Sequence, residues 1–150
     1  MPIVIISKRP DVRFSEFDMR HIFDEVVPYV LSTVQNPLQP GNTVIEVNDN
    51  LTEKKVDLVV DICCFRDEER YATRDENAEK ISTLATQAYI NTRTGADVCS
   101  AKIKIGVCIR HDMDAWFRPR EGDPVSPKLE MTETAMMARI RKRCGFVAKP

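Results

Sequence analysis

The strongest constraint on this chain is that it runs twice through one plan: an apolar strand, an amphipathic helix and a second apolar strand. Pro2-Ile3-Val4-Ile5-Ile6-Ser7 opens the first unit. Apolar residues then recur at helical spacing at Met19, Ile22, Phe23, Val26, Val27, Val30, Leu31 and Val34, with Ser15 placed to cap the helix. Pro28 falls inside that pattern and predicts a bend or a split-off last turn, before Asn36-Pro37-Leu38-Gln39-Pro40-Gly41 ends it. Thr43 to Val47 reads as the second strand. The second unit begins with the long apolar run Val56 to Phe65, apolar enough to lie centrally in a sheet, and continues through a polar loop from Arg66 to Arg74. A helix at 75–92 follows, its inner face formed by Ala78, Ile81, Leu84, Ala85, Ala88 and Tyr89, and Ala101 to Ile109 is the closing strand. Right-handed crossovers make each unit a parallel pair. The expected fold is therefore α/β (α+β): duplicated β-α-β units joined into one four-stranded mixed sheet with two helices on one face. Since Ile, Val and Cys occupy both strand faces, the face without helices calls for a cover, and self-association is the simplest one.

The length of 150 residues and the 43% hydrophobic content suit a single core. Two regions are expected, 1–117 as the folded domain and 118–150 as a basic C-terminal extension in which Met131 to Arg143 forms a short helix. The formal net charge of −1 conceals an asymmetry: residues 118–150 hold 8 basic and 4 acidic side chains, leaving an acidic body. Arg139, Arg141, Lys142 and Arg143 make the helix end basic, which suits the negative end of a helix dipole or contact with an anionic partner. The balance gives no reason to expect a nucleic acid or membrane partner, and no apolar run approaches the roughly 18 residues of a membrane span, so a cytoplasmic protein is expected. Cys63, Cys64, Cys99, Cys108 and Cys144 form no C-x-x-C pair, and four of them sit in apolar strand-like segments, as reduced buried thiols do.

Pro2 carries the most specific chemistry. Once Met1 is removed, Pro2 becomes a secondary amine at the start of a strand; an unperturbed α-amino group titrates at about 7.7–8.0, and burial or a nearby cation lowers that value. Such an amine exchanges a proton near neutrality. With Met1 retained, Pro2 only opens a strand, where its missing N–H costs nothing.

Three segments resemble the tautomerase superfamily, the group that includes macrophage migration inhibitory factor, 4-oxalocrotonate tautomerase and the 3-chloroacrylic acid dehalogenases. They are Pro2 to Ser7, Phe65-Arg66-Asp67-Glu68-Glu69-Arg70 ahead of the second helix, and Ile103 to Trp116. The resemblance spans roughly residues 2–117 in architecture. It implies that Pro2 is a general base or acid, that Arg66 and Arg70 bind the carboxylate of a small anionic substrate, that Trp116 lines an apolar wall, and that the protein is a homotrimer needing no cofactor and no metal. A bidentate guanidinium fits a planar carboxylate, and its charge disfavours protonation of a nearby amine. The stretch Ile22-Phe23-Asp24-Glu25-Val26-Val27 lacks the water-activating His of the dehalogenase-like members, and Gly106 and Val107 stand where some members carry a Tyr. The expected reaction is thus simple tautomerisation of a keto/enol acid, with Tyr71 as another source of a hydroxyl.

Other constellations carry less. His111-Asp112-Met113-Asp114 reads as a turn rather than a metal site, Cys108 with His111 lacks the exposure a thiol nucleophile needs, and His21 reads as a surface or capping residue. The alternative to an enzyme is a trimeric scaffold of the same fold whose basic tail binds a partner; a ferredoxin-like RNA-binding module ranks below it, because exposed aromatics do not interleave with basic residues on these strands.

Overall fold

A computed structural model describes residues 2–34, 36–64, 67–92, 102–110 and 131–144. Its elements run β1 (Ile3–Lys8), α1 (Glu16–Leu31), β2 (Val44–Asn48), β3 (Leu58–Cys63), α2 (Glu68–Ala72), α3 (Arg74–Asn91), β4 (Ile105–Arg110) and α4 (Glu133–Arg143), where α4 is the fourth helix among the described residues. The strands form one mixed sheet in the order β2-β1-β3-β4. β1 pairs in parallel with β2 and β3 in parallel with β4, while β1 and β3 meet antiparallel, with Ile3 opposite Cys63 and Lys8 opposite Leu58. The two β-α-β units expected from the sequence are therefore joined through their first strands.

Alternation along the strands decides which face holds the core. Val4, Ile6, Leu58, Val60, Ile62 and Ile105 point to one face and are buried in a single cluster with Ile22, Phe23 and Val26 of α1 and with Ile81, Ala85 and Ala88 of α3. The helices thus share one face. On the other face, Ile3, Ile5, Val59 and Cys63 belong to no cluster; Ile5 is 37% exposed and Val44 44%.

The Oγ of Ser15 caps α1 by accepting from the Asp18 N–H at 3.1 Å, and the helix continues through Pro28 to Leu31 without losing its last turn. Proline removes one backbone donor, yet Val26, Val27, Pro28 and Leu31 are all buried, and that packing holds the turn in place. The segment 66–74, expected as a loop, contains α2, capped by Asp67 through the Arg70 N–H at 3.2 Å. Two acidic residues in its first turn suit the positive end of the helix dipole.

Placing α4 in a separate extension does not describe its packing. Met136 and Ile140 are fully buried in the same core, against α1 and α3. Burying two such side chains contributes about 1.5–3 kcal/mol each. Residues 118–130 and 145–150 lie outside the described set.

Candidate active site at the Pro2 end of the sheet

Topology brings four chain segments to one end of the sheet. β1 starts there at Pro2 and β3 ends there at Cys63; because each helix returns antiparallel to its first strand, the C-terminus of α1 and the start of α2 arrive there as well. Pro2 is buried, and its carbonyl accepts from the Val44 N–H at 3.0 Å, which fixes the start of the β1–β2 ladder. Cys64, one residue past the Ile3–Cys63 pair, is buried on the neighbouring strand.

Arg70 is the largest fully buried side chain of the site, 2% exposed. Its Nε donates to the Leu31 carbonyl and its Nη2 to the Asn36 carbonyl, both at 2.8 Å. α1 has no basic residue in its last turn, so a cation from another segment serves the carbonyl end of that helix. Arg70 also contacts the Cys64 thiol. Burial pushes that thiol up and the Arg70 charge opposes the shift, so Cys64 stays protonated at neutral pH.

Asp67 completes the network. Its Oδ2 accepts from the Thr33 hydroxyl at 3.0 Å and from the Asn36 amide at 2.6 Å. Burial alone would raise this carboxyl, but hydrogen bonds from Asn36, the Arg70 N–H and Thr33, together with the Arg70 charge, hold it below its usual 3.8.

Sequence reasoning assigned Arg70 to the substrate carboxylate; the structure instead directs its guanidinium inward, to backbone carbonyls. It positions the loop after α1 and places a fixed positive charge at the end of the sheet where β1 begins. Arg66 and Trp116 lie outside the described residues, as do Phe65, Cys99, His111, Asp112 and Asp114. The half-buried Tyr71 carries the Arg74 guanidinium over its ring, 4.5 Å from the centroid. Cys108 is exposed on the open sheet face rather than buried; Cys63, Cys64, Cys108 and Cys144 are free thiols, and burial together with the Asp18 carboxylate pushes Cys144 up to about 12.

The basic helix end was read as a dipole partner or a binding surface, and part of it is engaged within the chain. Arg139 donates through Nε and Nη2 to both carboxylate oxygens of the fully buried Glu25, at 3.0 and 3.1 Å, and Arg143 reaches Glu25 and Asp24, both at 2.8 Å. These contacts span more than 110 residues, so no local pattern signals them. Beside them, His21 and Thr43 line a cavity of about 210 Å³ with Arg20, Asp24 and Arg143. The His21 Nδ1 and the Thr43 hydroxyl are the two buried side-chain polar atoms without a partner among the described residues. Burial and the Arg143 charge lower the His21 pKa from 6.5, against the pull of Asp24, Asp18 and Glu25. His21 is thus half-buried beside a cation, not a capping residue.

Among the described residues no cluster of His, Cys, Asp and Glu is arranged to hold a metal ion, and no helix is long and apolar enough to cross a membrane. No family model matches the chain, and no curated protein or solved structure is significantly similar to it.

Proposed function

We propose that this chain catalyses tautomerase-type proton transfer on a small carboxylate-bearing keto/enol compound, with Pro2 as the proton carrier after loss of Met1. The observation that carries the reading is the position of Pro2: buried, at the start of a central strand, on the end of the sheet where Arg70 adds a fixed charge. Desolvation and a neighbouring cation both favour the neutral amine. That amine takes the hydroxyl proton of the enol, and the resulting enolate is reprotonated at carbon by the Pro2 ammonium; substrate and product are isomers, so no cofactor takes part. Arg70 acts here as a positioning residue. Carboxylate recognition is assigned to Arg66, which precedes the Asp67 cap, and the apolar wall to Trp116.

A homotrimer belongs to the same reading. The open face carrying Ile3, Ile5, Val44 and Val59 is the surface it would cover. The scaffold alternative relies on a free basic tail, and the engagement of Arg139 and Arg143 by α1 leaves that tail fewer charges to offer.

Intact mass of the purified protein, followed by an assay of phenylpyruvate ketonisation, tests the proposal. The expected result is a chain lacking Met1, with activity that Pro2→Ala lowers by about 10²–10⁴-fold. A retained Met1, or a rate unchanged in the variant, contradicts the proposal and returns the scaffold reading to first place.

A further inference from the structure

The end of the sheet opposite Pro2 gathers a different set of charges. Lys54 and Lys55 precede β3, Lys102 and Lys104 precede β4, and the parallel β3–β4 pairing sets the two lysine pairs side by side. With Thr86 and Ile90 from the C-terminal half of α3, and with Ile103, they line a cavity of about 560 Å³, within the range of small-molecule sites.

The backbone there is stapled, which fixes the points from which the lysine side chains extend. The Lys104 carbonyl accepts from the N–H groups of Asp57 and Leu58 at 2.8 and 3.2 Å, and the Lys104 N–H donates to Asp57 Oδ2 at 2.8 Å. Arg9 fastens the other side, donating from Nη1 to the carbonyls of Lys54 and Val56 and from Nη2 to Asp57 Oδ1 at 2.6 Å. Among the described residues Asp57 is the single carboxylate lining the cavity, and Arg9 is paired with it. Glu53, next to it, accepts from the backbone N–H groups of Lys54 and Lys55. None of the four lysine ammonium groups has a carboxylate partner among the described residues.

Four exposed lysines around one concavity raise the local positive potential, which attracts a polyanion. We infer that this cavity binds a nucleoside polyphosphate, with its phosphates on the lysine ammonium groups and its base against Ile90 and Ile103. Ammonium groups act as compact point charges and suit a phosphate chain, while a dicarboxylate leaves half of them unmatched. The apolar wall gives a base its contact surface. The Thr86 hydroxyl donates to the Ser82 carbonyl at 2.8 Å, which leaves its lone pairs to accept from a base N–H. The site is separate from Pro2 and does not depend on proton transfer there.

Isothermal titration calorimetry of the full chain with ATP, AMP, inorganic triphosphate and citrate tests the inference. Saturable ATP binding is expected, weakening at least tenfold from 50 to 300 mM salt and at least tenfold in Lys54→Glu/Lys104→Glu, whose circular dichroism and melting temperature should match the parent. AMP and citrate should bind at least tenfold more weakly than ATP. Absence of saturable ATP binding, affinity unchanged in the folded double variant, or citrate binding as tightly as ATP overturns the site. Triphosphate binding as tightly as ATP overturns the nucleoside assignment. Lys142→Glu on α4 is the control and should leave ATP affinity unchanged; an equal loss there indicates charge alone and contradicts the inference.

Discussion

The two ends of the sheet both collect cations, but they use them differently. At the Pro2 end the Arg70 guanidinium is buried, and its donors meet the carbonyls of Leu31 and Asn36 beside the Asp67 carboxylate. At the far end four lysines stand around open space while the local carboxylate is already occupied by Arg9. A matched, buried charge organises structure; an unmatched, exposed set is available to a ligand.

Arg70→Met should produce the largest change, because it leaves the buried Leu31 carbonyl without its Arg70 donor, at roughly 1–3 kcal/mol, and takes from the half-buried Asn36 carbonyl one donor beside the Thr33 N–H. Urea denaturation is expected to show a loss of about 3 kcal/mol, whereas Lys104→Met at the open end should stay within about 0.5 kcal/mol. Equal losses at both ends would erase the distinction. Asp67→Asn sharpens it further, costing about 2 kcal/mol at neutral pH through weakened hydrogen bonds from Thr33 and Asn36. The folded Asp67 carboxyl lies below 3.8, so its contribution is complete above pH 3.8 and is lost as pH falls through the folded-state value. Stability of the parent and the Asn variant should therefore converge in acid; a difference independent of pH would remove Asp67 from the network.

Periodicity made the sheet and the two long helices legible, since burial on one face imposes 2.0 and 3.6 residue spacings that survive in the sequence. The five inner-face residues Ile81, Leu84, Ala85, Ala88 and Tyr89 are buried as their spacing predicts, while Ala78 is only half-buried. The short helix α2 was harder to see, because Asp67, Glu68, Glu69 and Arg70 form a charged run that looks solvated, although Asp67 followed by two acidic residues is a helix-start signal. What the sequence conceals is long-range pairing. Arg70 finds carbonyls 34 and 39 residues away, Arg143 finds Asp24 at a separation of 119, and the lysine groove joins segments about 47 residues apart. No window of local sequence carries such contacts; the register of β3 with β4 and the packing of α4 on α1 create them.

The central claim concerns one nitrogen. Protein labelled with ¹⁵N-proline and titrated by NMR should show the Pro2 nitrogen as a secondary amine whose pKa lies below the ordinary α-amino range of about 7.7–8.0, lowered by burial and by the Arg70 charge at that end of the sheet. An amide resonance that does not titrate, or an amine titrating above about 8, would contradict the account.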